Sequence, residues 1–476
     1  MRVASSFSLN RIITSPKTTR ATSSLAAKMA LNQPHTSYMP RYIDIGINLA
    51  DPIFRGRYHG KSKHPDDLKG VVSRAIEVGC TKLIVTGSSF KSSRDALKLA
   101  QEFPNTIFST AGIHPCSSSI FSPSHHKHHD ESQSEGEEEA EAEHTPACGP
   151  DPTKSIIDGE GVDLARSKII IDDLRTLIIS APKNQLVAFG EFGLDYDRLH
   201  YASKEVQLHS FAVQLELAAS LSPQLPLFLH SRAAHEDFVR LLKDAFGEKL
   251  EKLEKGGVVH SFTGTVEEMK ELMDLGLYIG INGCSFKTAE NCAVVKEVTL
   301  DRLMIETDGP WCEVRPTHEG WKYLVEWEEA RKKAEEEVKK KEEEEAARKR
   351  EEEEQAKKRE EEEEALKKAQ EGVEKLEVAE NGEEVAAELV KRQRQPKKKQ
   401  PQQPQQKKNQ KKEPEVPDRF KVVKKEKWEE GAMVKGRNEP CTIERIARIV
   451  AGIKGVPVEE VCEAAWANTV KVFGVE

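Results

Sequence analysis

Eight short apolar runs, each ending in a polar or glycine-rich turn, constrain the fold of this chain more than any other feature. They lie at 42–48, 82–87, 106–113, 186–191, 225–230, 257–261, 277–281 and 302–307. Short apolar runs bounded by turn residues are typical of buried β-strands. Strands that are apolar along their whole length have both faces covered, as in parallel sheets.

Helical patterns separate most of these runs. Between the first two, small and apolar residues recur at helical spacing on one face: Leu68, Val71, Val72, Ala75 and Gly79. After the sixth, Thr265 and Glu268 have the capping-box spacing of a helix start. Eight alternating strand and helix units predict an α/β protein with a (β/α)8 TIM barrel. A doubly wound open sheet is the alternative, although no glycine-rich phosphate motif follows the first strand.

Low-complexity segments interrupt the globular composition of the 476 residues. Charged residues make up 32% of the chain, but they concentrate in these segments and leave enough apolar sequence for a sizeable core. The predicted organisation is a leader at 1–40, a barrel domain at 41–325 plus 435–476, a disordered insertion at 116–160 and a charged insertion at 326–434. A His cluster at 125–129 in the first insertion is more typical of a solvated loop than of a catalytic site.

The second insertion combines a charged helix with a basic tract. Glu and Lys at i, i+4 support a solvated helix, and the scarcity of large apolar residues at 331–365 favours a single helix over a coiled coil. The tract 391–412 is basic and contains no acidic residue. It could contact nucleic-acid phosphates or keep a disordered loop soluble. The second interpretation is favoured because no aromatic residues are interleaved for base stacking.

The leader and the cysteines give indications of the cellular compartment of the protein. The first acidic residue is Asp44, and the basic, Ser- and Thr-rich residues before it resemble a mitochondrial presequence, with a disordered leader or translation from Met29 as alternatives. Eight cysteines without a CxxC pair indicate neither a disulfide framework nor a zinc ribbon. No run approaches the roughly 20 apolar residues of a membrane span. We predict a soluble intracellular monomer of the cytoplasm or nucleus, with the mitochondrion as the alternative.

Polar and ionisable residues fall where the predicted strands end: Asp44, Asn48, His114, Glu191, His230, His260 and Asp308. In a TIM barrel these ends converge on the face that carries the active site. Taken singly, a His at a strand end is more often a hydrogen-bonded structural residue, and an Asp before Gly is usually a turn former. Converging carboxylates repel one another unless a cation lies between them. The set therefore predicts one or two divalent cations.

Eight motifs, six of which contain these residues, occur in a fixed order: YIDIGINLADPIFRG, STAGIHP, FGEFGLDYDR, FLHSR, VVHSFTG, YIGINGCSFK, MIETDGPW and KGRNEP. In this order and context the chain resembles the TatD family of metal-dependent deoxyribonucleases, of the eukaryotic, fungal type, which have an amidohydrolase-like TIM barrel. The resemblance covers about 42–115, 165–325 and 435–474 and excludes the leader and both insertions.

The resemblance implies a role for each strand-end residue. Glu191 would bridge two metals, and His230 and His260 would complete the coordination of one of them. Asp308 would bind metal or orient and deprotonate the attacking water, and His114 would face the scissile phosphate. The implied metal ligands are thus Glu191, His230, His260 and Asp308, and the implied catalytic residues are Asp308, His114 and Glu191.

One departure from the family pattern affects the metal. Many relatives carry His-x-His at the end of the first strand, where this chain has Asp44, Gly46 and Asn48. The resemblance implies two divalent cations, one of which then has fewer protein ligands. Fewer protein ligands favour Mg²⁺, or Mn²⁺, over tightly held Zn²⁺, although the histidines admit all three. Asp195 and Arg198 would support the ligands or position the phosphate.

The predicted function is hydrolysis of DNA phosphodiester bonds by a metal-activated water, in a 3′-to-5′ exonuclease acting on single-stranded DNA. Phe192, Tyr196 and Trp311 could stack on bases or pack in the protein, and packing is favoured for Phe192. One alternative is an ester hydrolase with the same metal site, such as a D-aminoacyl-tRNA deacylase. Another is a scaffold that acts through the charged insertion without catalysis. Cys284 and Cys312 lie near strand ends, but no partner spacing marks either as a nucleophile.

Overall fold

The computed structural model describes residues 38–123, 155–157, 159, 161–377 and 415–475. The predictions for the leader up to residue 37, for the part of the first insertion at 124–154 and for the basic tract 391–412 lie outside these residues. None of the described helices is long and apolar enough to cross a membrane.

Eight strands form one sheet in chain order: β1 Tyr42–Ile47, β2 Cys80–Val85, β3 Ile107–Ala111, β4 Leu186–Asp195, β5 Leu227–Arg232, β6 Gly257–Val259, β7 Tyr278–Ile281 and β8 Leu303–Ile305. Every neighbouring pair is parallel. Each strand overlaps one of the eight predicted apolar runs. The TIM barrel predicted from the sequence is therefore confirmed.

Backbone hydrogen bonds beyond the last strand join it to the first. The N–H of Asp308 donates to the carbonyl of Gly46 over 2.8 Å, and the N–H of Asn48 donates to the carbonyl of Gly309 over 2.8 Å. Inside the barrel, one apolar cluster contains at least one buried residue from each of the eight strands. Val472, Phe473 and Val475 from the C-terminal end belong to the same cluster. The barrel is thus a packed core whose polar groups concentrate where its strands end.

Helices alternate with the strands: α1 Leu68–Glu77, α2 Phe90–Glu102, α3 Leu164–Ser180, α4 Lys204–Ser220, α5 His235–Phe246, α6 Val266–Asp274, α7 Ala289–Glu297, α8 Trp321–Glu377, α9 Ile443–Lys454 and α10 Val458–Phe473. The capping box predicted at Thr265 and Glu268 starts α6, with both reciprocal hydrogen bonds present. The apolar face predicted between the first two runs is the buried face of α1.

The start of the first insertion differs from the prediction. The sequence predicts disorder from residue 116, but Pro115–Phe121 forms a short 3-10 helix in which Phe121 is buried. The carbonyl of Phe121 accepts a hydrogen bond from the N–H of Asp163 over 2.9 Å, just before α3. The serines of this segment suggested a solvated loop, whereas burial of a single aromatic ring fixes it to the barrel.

Helix α8 begins in the barrel unit, which comprises residues up to Ala330 and from Asp418 onward, and continues into a second unit, Arg331–Pro417. It starts five residues before the predicted boundary at 326. In the second unit, exposed ion pairs at i, i+4 run along the helix, such as Lys349 with Glu345 at 2.9 Å. Each such pair stabilises a helix by only about 0.2–0.5 kcal/mol, so their number matters more than any one of them.

The second insertion also ends earlier than predicted. The sequence predicts that residues 418–434 are part of it, but they belong to the barrel unit. Val422–Val423 pairs with Met433–Val434, and Ala432 and Val434 are buried. Trp428 stacks on His64 with ring centroids 5.2 Å apart. The few apolar residues that fix this segment lie between lysines and glutamates, which masked them in the composition.

Candidate metal centre

Imidazole nitrogens from three strand ends converge on one carboxylate oxygen. Oε1 of Glu191, in β4, lies 2.5 Å from Nε2 of His260, 3.1 Å from Nδ1 of His230 and 3.4 Å from Nε2 of His114. His230 lies in β5, His260 follows β6 and His114 follows β3. The structure thus brings four of the predicted site residues into direct contact around one oxygen.

Two glutamines of α4 hold the strand ends that carry this cluster. The side chain of Gln207 accepts from the N–H of Asp195 over 2.9 Å and donates to its carbonyl over 3.0 Å. The side chain of Gln214 bonds both backbone groups of Ile113 in the same way, over 2.9 and 3.0 Å. Both glutamines are fully buried. They satisfy backbone groups that would otherwise be buried without a partner, and so fix the residues beside Glu191 and His114.

His230 is oriented by a second carboxylate. Its Nε2 lies 3.2 Å from Oδ2 of Asp195, while its Nδ1 faces Glu191. A proton on Nε2 donates to Asp195 and leaves the lone pair of Nδ1 directed at the cluster. Asp195 is buried, and Nε of Arg198 lies 3.6 Å from the same oxygen. Asp195 and Arg198 therefore lie behind the cluster, next to His230.

His260 has the same arrangement with a different carboxylate. Its Nδ1 lies 3.5 Å from Oε2 of Glu306, and its Nε2 faces Glu191. Both Nδ1 and Oε2 are buried without a hydrogen-bond partner among the described residues. Burial disfavours the charged ring, but the carboxylates of Glu191 and Glu306 outweigh burial and raise the pKa of His260 well above its usual value. Without a cation, a proton on His260 balances the two carboxylates.

Glu306 is the site residue that the sequence reasoning missed. It is fully buried, and its Oε1 accepts hydrogen bonds from the N–H of Ser261 over 2.5 Å and from Nδ2 of Asn282 over 3.3 Å. A Cβ at residue 46 would lie against its Oε2, so glycine leaves room for this carboxylate without a shift of the Glu306 side chain. Two signals could have found it: Glu306 lies two residues before Asp308 in one motif, and Gly46 replaces a family histidine.

His114 directs an N–H, rather than a nitrogen lone pair, at Glu191. Its Nδ1 accepts a hydrogen bond from the N–H of Cys116 over 3.0 Å. Burial lowers the pKa of His114 to about 3. The charge of Glu191 opposes this shift, and that of His230 adds to it. A neutral ring whose Nδ1 accepts carries its proton on Nε2, the atom that faces Glu191. His114 is therefore suited to hydrogen-bond an anionic oxygen, whereas Nδ1 of His230 and Nε2 of His260 are suited to bind a cation.

Asp308 lies at the junction of β8 and β1. Its Oδ1 accepts a hydrogen bond from Nδ2 of Asn48 over 3.1 Å, and its Oδ2 accepts one from Sγ of Cys312 over 3.2 Å. Its backbone lies in the left-handed region, with φ at 51°. A non-glycine residue in this region is uncommon, and such positions concentrate at functional sites.

Asp44 has a structural position. Its carboxylate is fully buried and accepts hydrogen bonds from the hydroxyl of Thr307 over 2.5 Å, from the N–H of Thr307 over 3.0 Å and from the N–H of Gly46 over 3.2 Å. Burial raises its pKa to about 8, although the bonds from Thr307 and Gly46 oppose the shift. Asp44 thus ties β1 to the turn that carries Asp308.

The three aromatic residues near the mouth differ in exposure. Phe192 is fully buried and packs edge-to-face on Phe189 with centroids 4.8 Å apart, which agrees with the favoured packing role. Tyr196 is half-buried and donates from its hydroxyl to Asp237 over 2.8 Å. Trp311 is also half-buried. Base stacking stays a prediction for Tyr196 and Trp311.

The donor set fits a divalent cation. One carboxylate oxygen and two ring nitrogens lie within 3.4 Å of one another, and each ring has a further carboxylate on its other nitrogen. Metal-binding histidines usually have this arrangement, in which one ring nitrogen binds the metal and the other donates its proton to a carboxylate. Among the described residues, ligand atoms of His114, Glu191 and His230 also form a compact group, although His114 presents an N–H to it rather than a lone pair. Fold and site together define a TIM-barrel protein with a candidate metal centre at the active-site end of its strands.

Comparison with known proteins identifies the family. The sequence model of the TatD related DNases matches residues 43–377. The chain belongs to this family, as its motifs indicated, and is a hydrolase acting on ester bonds.

Curated relatives span nearly the whole chain. The Deoxyribonuclease Tat-D of Schizosaccharomyces pombe is 34% identical over 437 residues, covering 91% of this chain and 96% of the relative. The protein of the same name from Saccharomyces cerevisiae is 30% identical over 481 residues, covering 91% of each. A bacterial relative from Erwinia tasmaniensis, named 3′-5′ ssDNA/RNA exonuclease TatD, is 34% identical over 56% of this chain and 79% of its own length.

Solved structures share the fold. The crystal structure of an uncharacterized amidohydrolase from Saccharomyces cerevisiae superposes with a TM-score of 0.62 and 28% identity, covering 91% of this chain and all of the other. A TatD family hydrolase from Entamoeba histolytica has a TM-score of 0.58 at 23% identity, covering 92% of this chain and all of the other, and supports the fold alone.

Proposed function

We propose that this protein is a metal-dependent deoxyribonuclease that removes nucleotides from the 3′ ends of single-stranded DNA. The observation that carries the proposal is the convergence of His230 and His260 on Oε1 of Glu191, with a carboxylate behind each ring. The name of the bacterial relative, which specifies a 3′-5′ ssDNA/RNA exonuclease, supports the polarity and the single-stranded substrate.

Glu191, His230 and His260 would hold one cation, and Glu191 with Asp308 would hold a second. Replacement of His-x-His by Gly46 and Asn48 leaves the second cation with oxygen-rich coordination, which supports Mg²⁺ or Mn²⁺ over Zn²⁺. When bound, such cations would lower the pKa of the attacking water and neutralise charge on the phosphate.

The protein side chains supply position and proton transfer. Asp308, held by Asn48 and Cys312, orients the attacking water and accepts its proton on a carboxylate oxygen. His114 stays neutral and donates from Nε2 to a phosphate oxygen. Arg198 adds positive charge beside Asp195 and helps to position the backbone phosphate.

The proposed base contacts are made by aromatic rings at the mouth. Tyr196 is half-buried, and the ammonium of Lys204 lies 4.6 Å from its ring centroid. Tyr196 and Trp311 would stack on unpaired bases, which a single strand offers and a duplex does not. The basic tract 391–412 would add phosphate contacts, although it lies outside the described residues.

The test is cleavage of single-stranded oligonucleotides labelled at either end, with Mg²⁺, with Mn²⁺ and with a chelator. The intact enzyme should shorten the strand from its 3′ end only when a cation is present. Glu191→Gln and Asp308→Asn should abolish this cleavage while the thermal unfolding transition stays cooperative. His235→Gln is the matched control, because His235 pairs with Glu271 on the surface of the barrel. Full activity in either site variant would refute the proposal.

The two alternatives give different results in the same assay. An ester hydrolase with this metal site would release the amino acid from D-aminoacyl-tRNA, leave DNA intact and lose that activity with Glu191→Gln. A scaffold would show no turnover on either substrate, whatever cation is added. Both substrates are therefore compared with the same enzyme preparations.

A further inference from the structure

Two cysteines on separate loops bring their sulfur atoms together beside Asp308. Sγ of Cys284 lies 2.8 Å from Sγ of Cys312, and Cys312 in turn donates to Oδ2 of Asp308 over 3.2 Å. Cys284 belongs to the 3-10 helix Gly283–Phe286 that follows β7, and Cys312 follows β8. The hydrogen-bond chain therefore runs from Cys284 through Cys312 to the carboxylate that we assign to the attacking water.

The backbones on both sides are fixed in close contact. A Cβ at residue 283 would lie 1.8 Å from the carbonyl oxygen of Cys312, so only glycine allows this approach. The side chain of Asn282 accepts from the N–H of Cys284 over 2.9 Å and donates to Ser261 over 2.9 Å. A disulfide requires a sulfur separation of about 2.05 Å, so its formation needs less than about 1 Å of movement.

Contact and exposure distinguish this pair from Cys292. The two sulfur atoms lie 2.8 Å apart, and Cys312 is half-buried, so one side of the pair is partly open to small molecules. Cys292 is buried in α7, away from the hydrogen-bond chain.

We propose that Cys284 and Cys312 form a redox modification site, in which hydrogen peroxide produces a disulfide that slows hydrolysis by removing a hydrogen bond from Asp308. The inference rests on the proposed function only for its effect on hydrolysis, since disulfide formation is measured separately. A disulfide carries no S–H, so Oδ2 of Asp308 loses the donor of Cys312 while Oδ1 keeps that of Asn48.

The reaction is balanced with peroxide as the oxidant. The sulfur of Cys312 attacks one peroxide oxygen, the O–O bond breaks, and the hydroxide that leaves takes the thiol proton of Cys312 to become water. Sulfur is thereby oxidised to a sulfenic acid. Cys284 then attacks this sulfur, the S–S bond forms, and the displaced hydroxide takes the Cys284 proton as a second water. Two thiols and one peroxide thus give one disulfide and two waters, and a dithiol reductant reverses the change.

The experiment treats the full-length, Mn²⁺-loaded enzyme with hydrogen peroxide and follows two readouts. Non-reducing peptide mass spectrometry should show a peptide that links Cys284 to Cys312, and dithiothreitol should remove it. Hydrolysis of a labelled oligonucleotide should fall by about tenfold, the expected effect of losing one hydrogen bond to a charged group, and recover on reduction. Absence of the linked peptide, or its formation without a change in rate, would overturn the proposal.

Variants separate the disulfide from other oxidation. Each variant is compared with itself before and after peroxide: Cys284→Ser should be insensitive to peroxide, whereas Cys292→Ser should remain as sensitive as the unmodified chain. Cys312→Ala should lower the rate before any peroxide is added, because it removes the donor to Asp308, and peroxide should change it no further. Equal sensitivity of Cys284→Ser and Cys292→Ser would refute the pair as the target. If no DNA is hydrolysed at all, the linked peptide still reports the disulfide, so failure of the proposed function is recognised separately.

Discussion

Oδ2 of Asp195 lies 3.2 Å from Nε2 of His230, while the other nitrogen of that ring faces Glu191. We expect Asp195→Asn to weaken Mn²⁺ binding about 10- to 100-fold, because an amide nitrogen in this position favours the ring tautomer with its proton on Nδ1. Isothermal titration calorimetry with Mn²⁺ measures the change. Asp244→Asn is the control, since Asp244 pairs with Arg240 on the exposed side of α5. Equal affinities in the two variants would argue against the orienting role.

Gly46→Ala tests whether the position of the Glu306 carboxylate depends on the absence of a side chain at residue 46. The new Cβ would lie 2.4 Å from Oε2 of Glu306, so the carboxylate must move away from Ser261 and His260. We expect a loss of about 1–3 kcal/mol in the free energy of unfolding, measured by urea denaturation, together with weaker metal binding. The cost should shrink in a Glu306→Ala background, where the clash is absent. A cost that is the same in both backgrounds would place the strain elsewhere.

Metal binding should depend on pH through His260. Burial disfavours its charge, but Glu191 and Glu306 raise its pKa well above the usual value, so the metal-free ring holds a proton at neutral pH. A cation must displace that proton, and its affinity therefore falls as the pH is lowered, by about tenfold per pH unit for one proton. Calorimetry in buffers of different ionisation enthalpy should show about one proton released. Glu306→Gln should shift this dependence to lower pH, and buffer-independent heats would contradict the prediction.

Removal of the second unit should leave catalysis intact. We expect a chain in which a Gly/Ser linker replaces 331–417 to keep its turnover number on short oligonucleotides, within about twofold. A longer deletion, 331–434, should lower the melting temperature because it also removes the buried Ala432 and Val434 and the stacking of Trp428 on His64. Steady-state kinetics and differential scanning calorimetry compare the two. Loss of turnover in the shorter deletion would show instead that catalysis depends on the second unit.

The barrel was predictable because its signal repeats. Each buried strand is a continuous apolar run, and eight such runs interspersed with helical patterns leave few alternatives. Glu191, His230 and His260 were predictable for a related reason, since strand ends of a barrel converge whatever the loops between them do.

Features set by a single side chain were not predictable. Phe121 and Trp428 each fix a segment whose other residues are mostly polar or charged. A single aromatic ring changes the average composition of such a segment very little. Glu306 resembles a routine polar residue near a strand end until Gly46, some 260 positions away, is known to face it. The proximity of Cys284 and Cys312 likewise depends on two loops whose contact no local pattern records.

The chain beyond the second unit returns to the barrel and is bound to it firmly. Nδ2 of Asn438 donates to the carbonyl of Thr307 over 2.9 Å, and the buried guanidinium of Arg437 bonds both oxygens of Asp67. A protease that cuts between Ala330 and Asp418 would therefore leave two pieces that stay associated. Encoded on separate genes, the same pieces would form a split nuclease whose halves reassemble without a covalent link.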